Sequence, residues 1–153
     1  PDLVSEGEKH YVVNRRTSYT ELVGFERPLP LEIAEADPDR RYPVPLYLAD
    51  DPQSPRVSRI ALRVRAHGLV SADKLELWLN GRSLEGETCY RERAETFFPY
   101  DQWMEIHLQA VRPIRGANML ELALTRRATG LTGAVEIEDV EVIISHGPYP
   151  SGL

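Results

Sequence analysis

The feature that most constrains this chain is a two-residue alternation of aliphatic and polar side chains, repeated along most of its length. Ile60, Leu62, Val64 and Ala66 interleave with Ala61, Arg63, Arg65 and His67. Leu75, Leu77 and Leu79 interleave with Glu76, Trp78 and Asn80, and Met104, Ile106 and Leu108 with Trp103, Glu105 and His107. Leu120, Leu122 and Leu124 follow the same rule, as do Val135 and Ile137, then Val140, Val142 and Ile144 among acidic neighbours. An extended backbone turns successive side chains to opposite faces, so each run makes a strand with one apolar and one polar face. Residues 30–34 and 43–49 are weaker strand candidates.

Helical spacing is nowhere sustained over ten residues. The best stretch, 85–95, is charged all round and reads as a loop. Segments 37–45 and 50–55 are rich in Pro and Asp and also read as loops, because proline interrupts a hydrogen-bonded ladder. Asn80-Gly81 is a type I′ hairpin signal, and Arg115-Gly116 marks a further turn. Seven or eight short strands separated by turns predict an all-β fold, either a two-sheet antiparallel β-sandwich or a barrel. Residues 1–28 mix charges with isolated aromatics and show no period. They are expected to be a connector or arm, with the sandwich domain over 29–153.

The chain of 153 residues is long enough for one domain with a sizeable core. Its net charge of −6 argues against nucleic acid and against anionic membrane surfaces as partners. No apolar run approaches the roughly 20 residues of a bilayer span. Because the chain opens at Pro1 without a methionine or a leader, it is expected to be a mature product or an excised piece of something longer. Secretion as part of a larger protein is a separate expectation, on which the missing leader has no bearing.

If the aliphatic positions point inward, their neighbours point outward together. The outward set contains Arg63, Arg65, Glu76, Trp78, Trp103, Glu105, His107 and Glu121, and so both tryptophans of the chain. Burying a tryptophan is favourable, so placing two on outward positions needs a reason. One reading covers them with the N-terminal arm or with loops. Another uses them as a binding surface, the indoles stacking on sugar rings while Arg, Glu and His bond the hydroxyls. A third is a protein–protein patch. The connector 82–100, with Tyr90, Arg91, Arg93, Phe97, Phe98 and Tyr100, is a second candidate surface.

Catalytic signatures are missing. The four histidines (His10, His67, His107, His146) lack metal-ligand spacing, and Cys89 is the single cysteine, so no intramolecular disulfide forms and an inert thiol is expected. Asp37, Asp39, Asp50 and Asp51 offer oxygen ligands for a structural calcium, against the alternative of solvated turn aspartates. Glu76, Glu105 and Glu121 are the carboxylates to weigh for glycoside cleavage, but exposed strand glutamates are common and a catalytic role is not expected.

Three segments, LELWLNG at 75–81, RGANMLELAL at 115–124 and IEDVEVII at 137–144, carry a family resemblance. With Asn80-Gly81, Gly116, Asn118, Leu120 and Asp139-Val140 at matching places, the chain resembles the galactose-binding-like jelly roll, an accessory β-sandwich of carbohydrate-active enzymes. The resemblance spans roughly 57–145. It implies a non-catalytic carbohydrate-binding module, a polysaccharide or oligosaccharide partner, and a catalytic domain in the same parent chain. It also allows a structural calcium, and a purely structural role bracing that catalytic domain. On that reading the ligand-binding residues are Trp78, Trp103, Arg63, Arg65, Glu105 and His107, with Tyr90 and Tyr100 in reserve.

Overall fold

The computed structural model describes residues 7–13, 28–93 and 101–147. Ten strands follow in order: β1 (Gly7–Val13), β2 (Leu31–Ile33), β3 (Tyr42–Leu48), β4 (Val57–His67), β5 (Lys74–Leu79), β6 (Arg82–Ser83), β7 (Thr88–Arg93), β8 (Asp101–His107), β9 (Gly116–Arg126) and β10 (Val135–His146). One sheet runs β1-β10-β4-β8-β7, with β2 also paired to β10, and the other runs β3-β9-β5-β6. Every pairing is antiparallel. The alternation read from the sequence thus folds as a two-sheet antiparallel sandwich.

Ile60, Leu62, Val64, Met104, Ile106, Val140, Val142 and Ile144 come inward from the six-stranded sheet. They meet Val44, Leu46, Leu48, Leu75, Leu77, Leu79, Leu120, Leu122 and Leu124 from the four-stranded one. Each such side chain contributes about 1.5–3 kcal/mol on burial, and this layer holds the fold without a disulfide. In β10 the core positions change parity, from Val135 and Ile137 to Val140, Val142 and Ile144. A bulge between Ile137 and Asp139 in the pairing with β4 absorbs the extra residue.

Two loop expectations are corrected. Tyr42–Leu48 is a strand that includes Pro43 and Pro45, in line with the weaker strand candidate over 43–49 and against the loop reading of 37–45. β3 is the outermost strand of its sheet and pairs only with β9, so prolines can turn their nitrogens to the free edge. They also blunt that edge against further pairing. Thr88–Arg93, inside the charged stretch 85–95, is also a strand. It is the edge of the six-stranded sheet beyond β8, where one face meets the rim of the sandwich rather than its middle, so no apolar stripe is needed.

The asparagines singled out in the sequence form a clasp. Asn80 and Gly81 both have positive φ, 51° and 83°, as a type I′ turn requires. Asn80 Oδ1 accepts the Met119 N–H at 2.8 Å and its Nδ2 donates to Asn118 Oδ1 at 2.9 Å. Buried Asn118 also accepts the Ile114 N–H and donates to the Ile114 and Gly116 carbonyls. Within 1–28, the segment Gly7–Val13 lies along β10 with Tyr11 and Val13 against the core.

Candidate functional site

With the aliphatic positions of β4, β8 and β10 turned inward, their neighbours line the outer face of the six-stranded sheet. Direct cross-strand register places Glu141, Arg63, Glu105 and Tyr90 in one row across β10, β4, β8 and β7. The adjacent row is Asp139, Arg65, Trp103 and Glu92. His67 and Asp101 face each other in the next. Opposite charges across strands stabilise such rows.

Arg63 is the hub. Its guanidinium carbon lies 4.3 Å from the Trp103 ring centroid. It is within ion-pair range of Glu105 (3.4 Å), Glu92 (3.6 Å) and Glu141 (3.9 Å). Its buried Nε makes no hydrogen bond, so charge and the indole face hold it. Arg65 bonds Asp139 and, at 3.1 Å, Asp101. Burial works against the Arg65 charge, but the hydrogen bond to Asp139 and the pull of Asp139, Asp101 and Glu138 outweigh it, and its pKa is raised. Asp101, 1% exposed, also binds His67 Nδ1.

Toward the β7 edge, His107 Nε2 meets Glu105 Oε2 at 2.9 Å. Its ring centre lies 5.2 Å from that of Tyr90, tilted by 60°. Tyr90 is 55% exposed, the one open aromatic ring of this face among the described residues. At the other edge His10 of β1 pairs with Glu141.

The outer face of the four-stranded sheet differs. Trp78 of β5 stands opposite Glu121 of β9, with the Arg41 guanidinium 3.8 Å from its ring centroid and 3.8 Å from Glu121. Glu76 pairs with Lys74 at 3.2 Å. Nearby outward positions are apolar and open: Tyr47 at 67% exposure, Met119 at 41%, and Pro43 and Pro45.

Of the eight residues expected to bind ligand, Arg63, Arg65, Tyr90, Trp103, Glu105 and His107 share one face. Trp78 is on the opposite side of the sandwich, and Tyr100 lies outside the described residues, as do Phe97 and Phe98. A single platform carrying both indoles is therefore corrected to two separate faces. Alternation tells inward from outward but not which of two sheets a strand joins. Each indole also carries a guanidinium over one ring face. Glu105 likewise lies on the face opposite Glu76 and Glu121, so these carboxylates do not flank one cleft. Sequence reasoning missed Glu92, Asp101, Asp139 and Glu141 as partners of the arginines. The acidic neighbours along β10 were the available signal for the last two.

Three of the four turn aspartates have side-chain engagements. Asp37 Oδ1 accepts the Asp39 N–H and Asp51 Oδ1 the Gln53 N–H, each at 2.9 Å, while Asp50 pairs with Lys9. Among the described residues no group of three or more His, Cys, Asp or Glu is placed to hold a metal ion. Burial pushes the Cys89 thiol up, with Arg91 opposing only in part. No known protein family matches this chain, and no curated protein shows significant similarity to it.

Proposed function

We propose that this domain is a non-catalytic carbohydrate-binding module of the galactose-binding-like jelly-roll type, accessory to a catalytic domain of a larger glycoside hydrolase-like protein. The observation that carries the reading is Tyr90: an open aromatic ring beside His107, in register with Glu105 and Arg63, on a rigid sheet. A sugar ring presents an apolar C–H face to an aromatic and a rim of hydroxyls to charged groups. Tyr90 supplies the stacking surface, and Glu105, His107 and the carboxylates around Arg63 select the hydroxyl pattern. Trp103 acts beneath them, fixing Arg63, rather than as the open platform.

Affinity electrophoresis through polysaccharide gels tests this. The chain is expected to be retarded by at least one polysaccharide, with retardation lost in Tyr90→Ala, reduced in His107→Ala and kept in Trp78→Ala. Full retardation of folded Tyr90→Ala overturns the assignment.

A second reading has its own observation. Tyr47, Met119, Pro43 and Pro45 form an open apolar surface on the four-stranded sheet, as a face packed on a neighbouring domain would. On this reading the domain braces a catalytic neighbour and binds no glycan. Titration with the remaining part of the parent protein then gives binding that Tyr47→Lys abolishes and Tyr90→Ala leaves intact.

A further inference from the structure

A second place in the molecule has the form of a small-ligand site. At one end of the sandwich the start of β1, the β3–β4 loop and the end of β10 enclose an open cleft of about 610 Å³. That is within the range of about 300–1,000 Å³ typical of ligand pockets. Gly7 of β1 and His146 of β10 are register partners, so the sheet itself brings two of its walls together.

The third wall is held rigid. The Ser54 N–H bonds the Asp51 carbonyl at 3.2 Å and the Val57 N–H bonds the Ser54 carbonyl at 3.0 Å. Asp51 and Ser54 side chains accept the Gln53 and Arg56 amides. Arg115 Nε donates to the Ala49 carbonyl at 3.1 Å, and Pro52 and Pro55 restrict the loop further. A loop fixed in this way loses little entropy when a ligand binds.

The lining mixes both signs: Lys9 and Arg56 are cationic, Glu8, Asp50 and Asp51 are acidic, and His146 adds an imidazole. Lys9 Nζ lies 3.1 Å from Asp50 Oδ1 and 2.9 Å from Oδ2, and the Asp50 N–H donates to the Tyr11 hydroxyl. Three of the groups here are electrostatically perturbed. The hydrogen bond from Lys9 leads in lowering Asp50, the bond to Asp50 leads in raising Lys9, and burial leads in raising Tyr11. Such clustering is common at working sites.

Charges of both signs set side by side select against a ligand that carries charge of one sign only, because part of the wall repels it. A hydroxyl is matched to both halves, since it donates to a carboxylate and accepts from a cation at once. No Phe, Tyr or Trp ring lines the cleft among the described residues, so recognition works through hydrogen bonds rather than stacking on a large aromatic face. We infer that this cleft binds a single neutral sugar residue through adjacent hydroxyls, as a second subsite separate from the Tyr90 face. The inference rests on the carbohydrate reading above and adds the ligand class at a new place.

Amide chemical-shift mapping on the intact chain decides it. The probes are galactose, glucose, mannose and xylose, with glucuronate and glucosamine as charged controls and a soluble oligosaccharide for the Tyr90 face. At least one neutral sugar is expected to shift amides at 7–9, 50–56 and 146–147 saturably and more tightly than either charged control. Asp51→Asn, which keeps the oxygen that accepts the Gln53 amide, and Arg56→Met should each weaken that binding about tenfold. Silence at these amides while the oligosaccharide shifts 88–92 and 103–107 removes the cleft and leaves the carbohydrate reading standing. Silence at both removes both. Tighter binding of glucuronate or glucosamine than of every neutral sugar overturns the ligand class, and unchanged affinity in both variants overturns the residues.

Discussion

On the six-stranded sheet the outward positions carry Arg63, Arg65, Asp139, Glu105 and Glu141, half-buried, and Asp101, buried, all joined in ion pairs, whereas on the four-stranded sheet Tyr47, Met119, Pro43 and Pro45 lie open to solvent beside Trp78 and Glu121. Both faces come from the same period-two pattern over the same core. The contrast shows what alternation leaves undetermined: it sets which side chains leave the core, and cross-strand partners set what those side chains become. The charged face is a fixed lattice in which each arginine is held by several acids, so groups at its margin, such as Tyr90, are presented on a stiff support. On the four-stranded face the ion pairs are separate ones, Arg41 with Glu121 and Lys74 with Glu76, and the apolar surface beside them gains stability when covered.

This contrast can be broken most directly at Asp101. Its side chain is buried and bonds both Arg65 and His67, so Asp101→Ala takes one acid from Arg65 and a hydrogen bond from His67 in a partly dry site. The expected loss is about 3 kcal/mol in urea unfolding, against less than about 0.5 kcal/mol for Glu121→Ala on the other face. Equal losses would mean that the lattice adds no more than ordinary surface pairing.

A smaller effect is expected at the two arginines that cover the indoles. Arg63→Met leaves Glu92, Glu105 and Glu141 facing one another and should cost about 1–2 kcal/mol, while Arg41→Met should stay within about 0.5 kcal/mol. Raising the salt concentration should recover part of the first loss, because the repulsion left among the carboxylates is screened. A loss in Arg63→Met that does not respond to salt would assign it to lost packing on Trp103 instead.

Smaller still are the changes at the open rings. Tyr90→Ala, and Tyr47→Ser combined with Met119→Ser, should each leave unfolding within about 0.5 kcal/mol of the parent chain. They separate the two readings: if the domain binds carbohydrate the first loses polysaccharide retardation, and if it braces a neighbouring domain the second loses that attachment. A pattern with the two losses exchanged would reverse the roles given to the two faces.

Much of this architecture was legible in the residues, for local reasons. Leu75, Leu77 and Leu79 announce an inward face, Asn80-Gly81 announces its own turn, and the parity change after Ile137 is visible in the chain before the bulge is seen. What stayed hidden depends on distant pairing. Pro43 and Pro45 look like ladder breakers until β3 proves to be an edge. Residues 88–93 lack an apolar stripe because an edge strand at the rim needs none. Trp78 and Trp103 have the same outward signature, and only sheet order places them on opposite sides of the molecule. The candidate site was half legible in the same way: Arg63, Glu105 and His107 follow from alternation on their own strands, while Glu92, Asp101, Asp139 and Glu141 become their partners only through β7, β8 and β10.

The Lys9–Asp50 pair belongs to neither face; it links β1 of one sheet to the end of β3 in the other, and so tests whether the two layers are also joined by charge. Asp50 is held below its ordinary 3.8, chiefly by the hydrogen bond from Lys9. The stabilisation it gives is therefore fully present above pH 3.8 and is lost as the pH falls through the lowered value. Lys9 is raised above 10.5, chiefly by the bond to Asp50, and burial leads in raising Tyr11 above 10.0. Their stabilisation is present below those values and disappears as the pH climbs through the raised ones. The thermal midpoint should thus decline at both extremes, and Lys9→Met should flatten both declines while lowering the midpoint near neutrality by the same small amount, since Lys9 is more than half exposed. Unaltered acid and alkaline slopes in Lys9→Met would show that the clasp contributes nothing to holding β1 against the rest of the sandwich, leaving that to Tyr11, Val13 and the backbone ladder with β10.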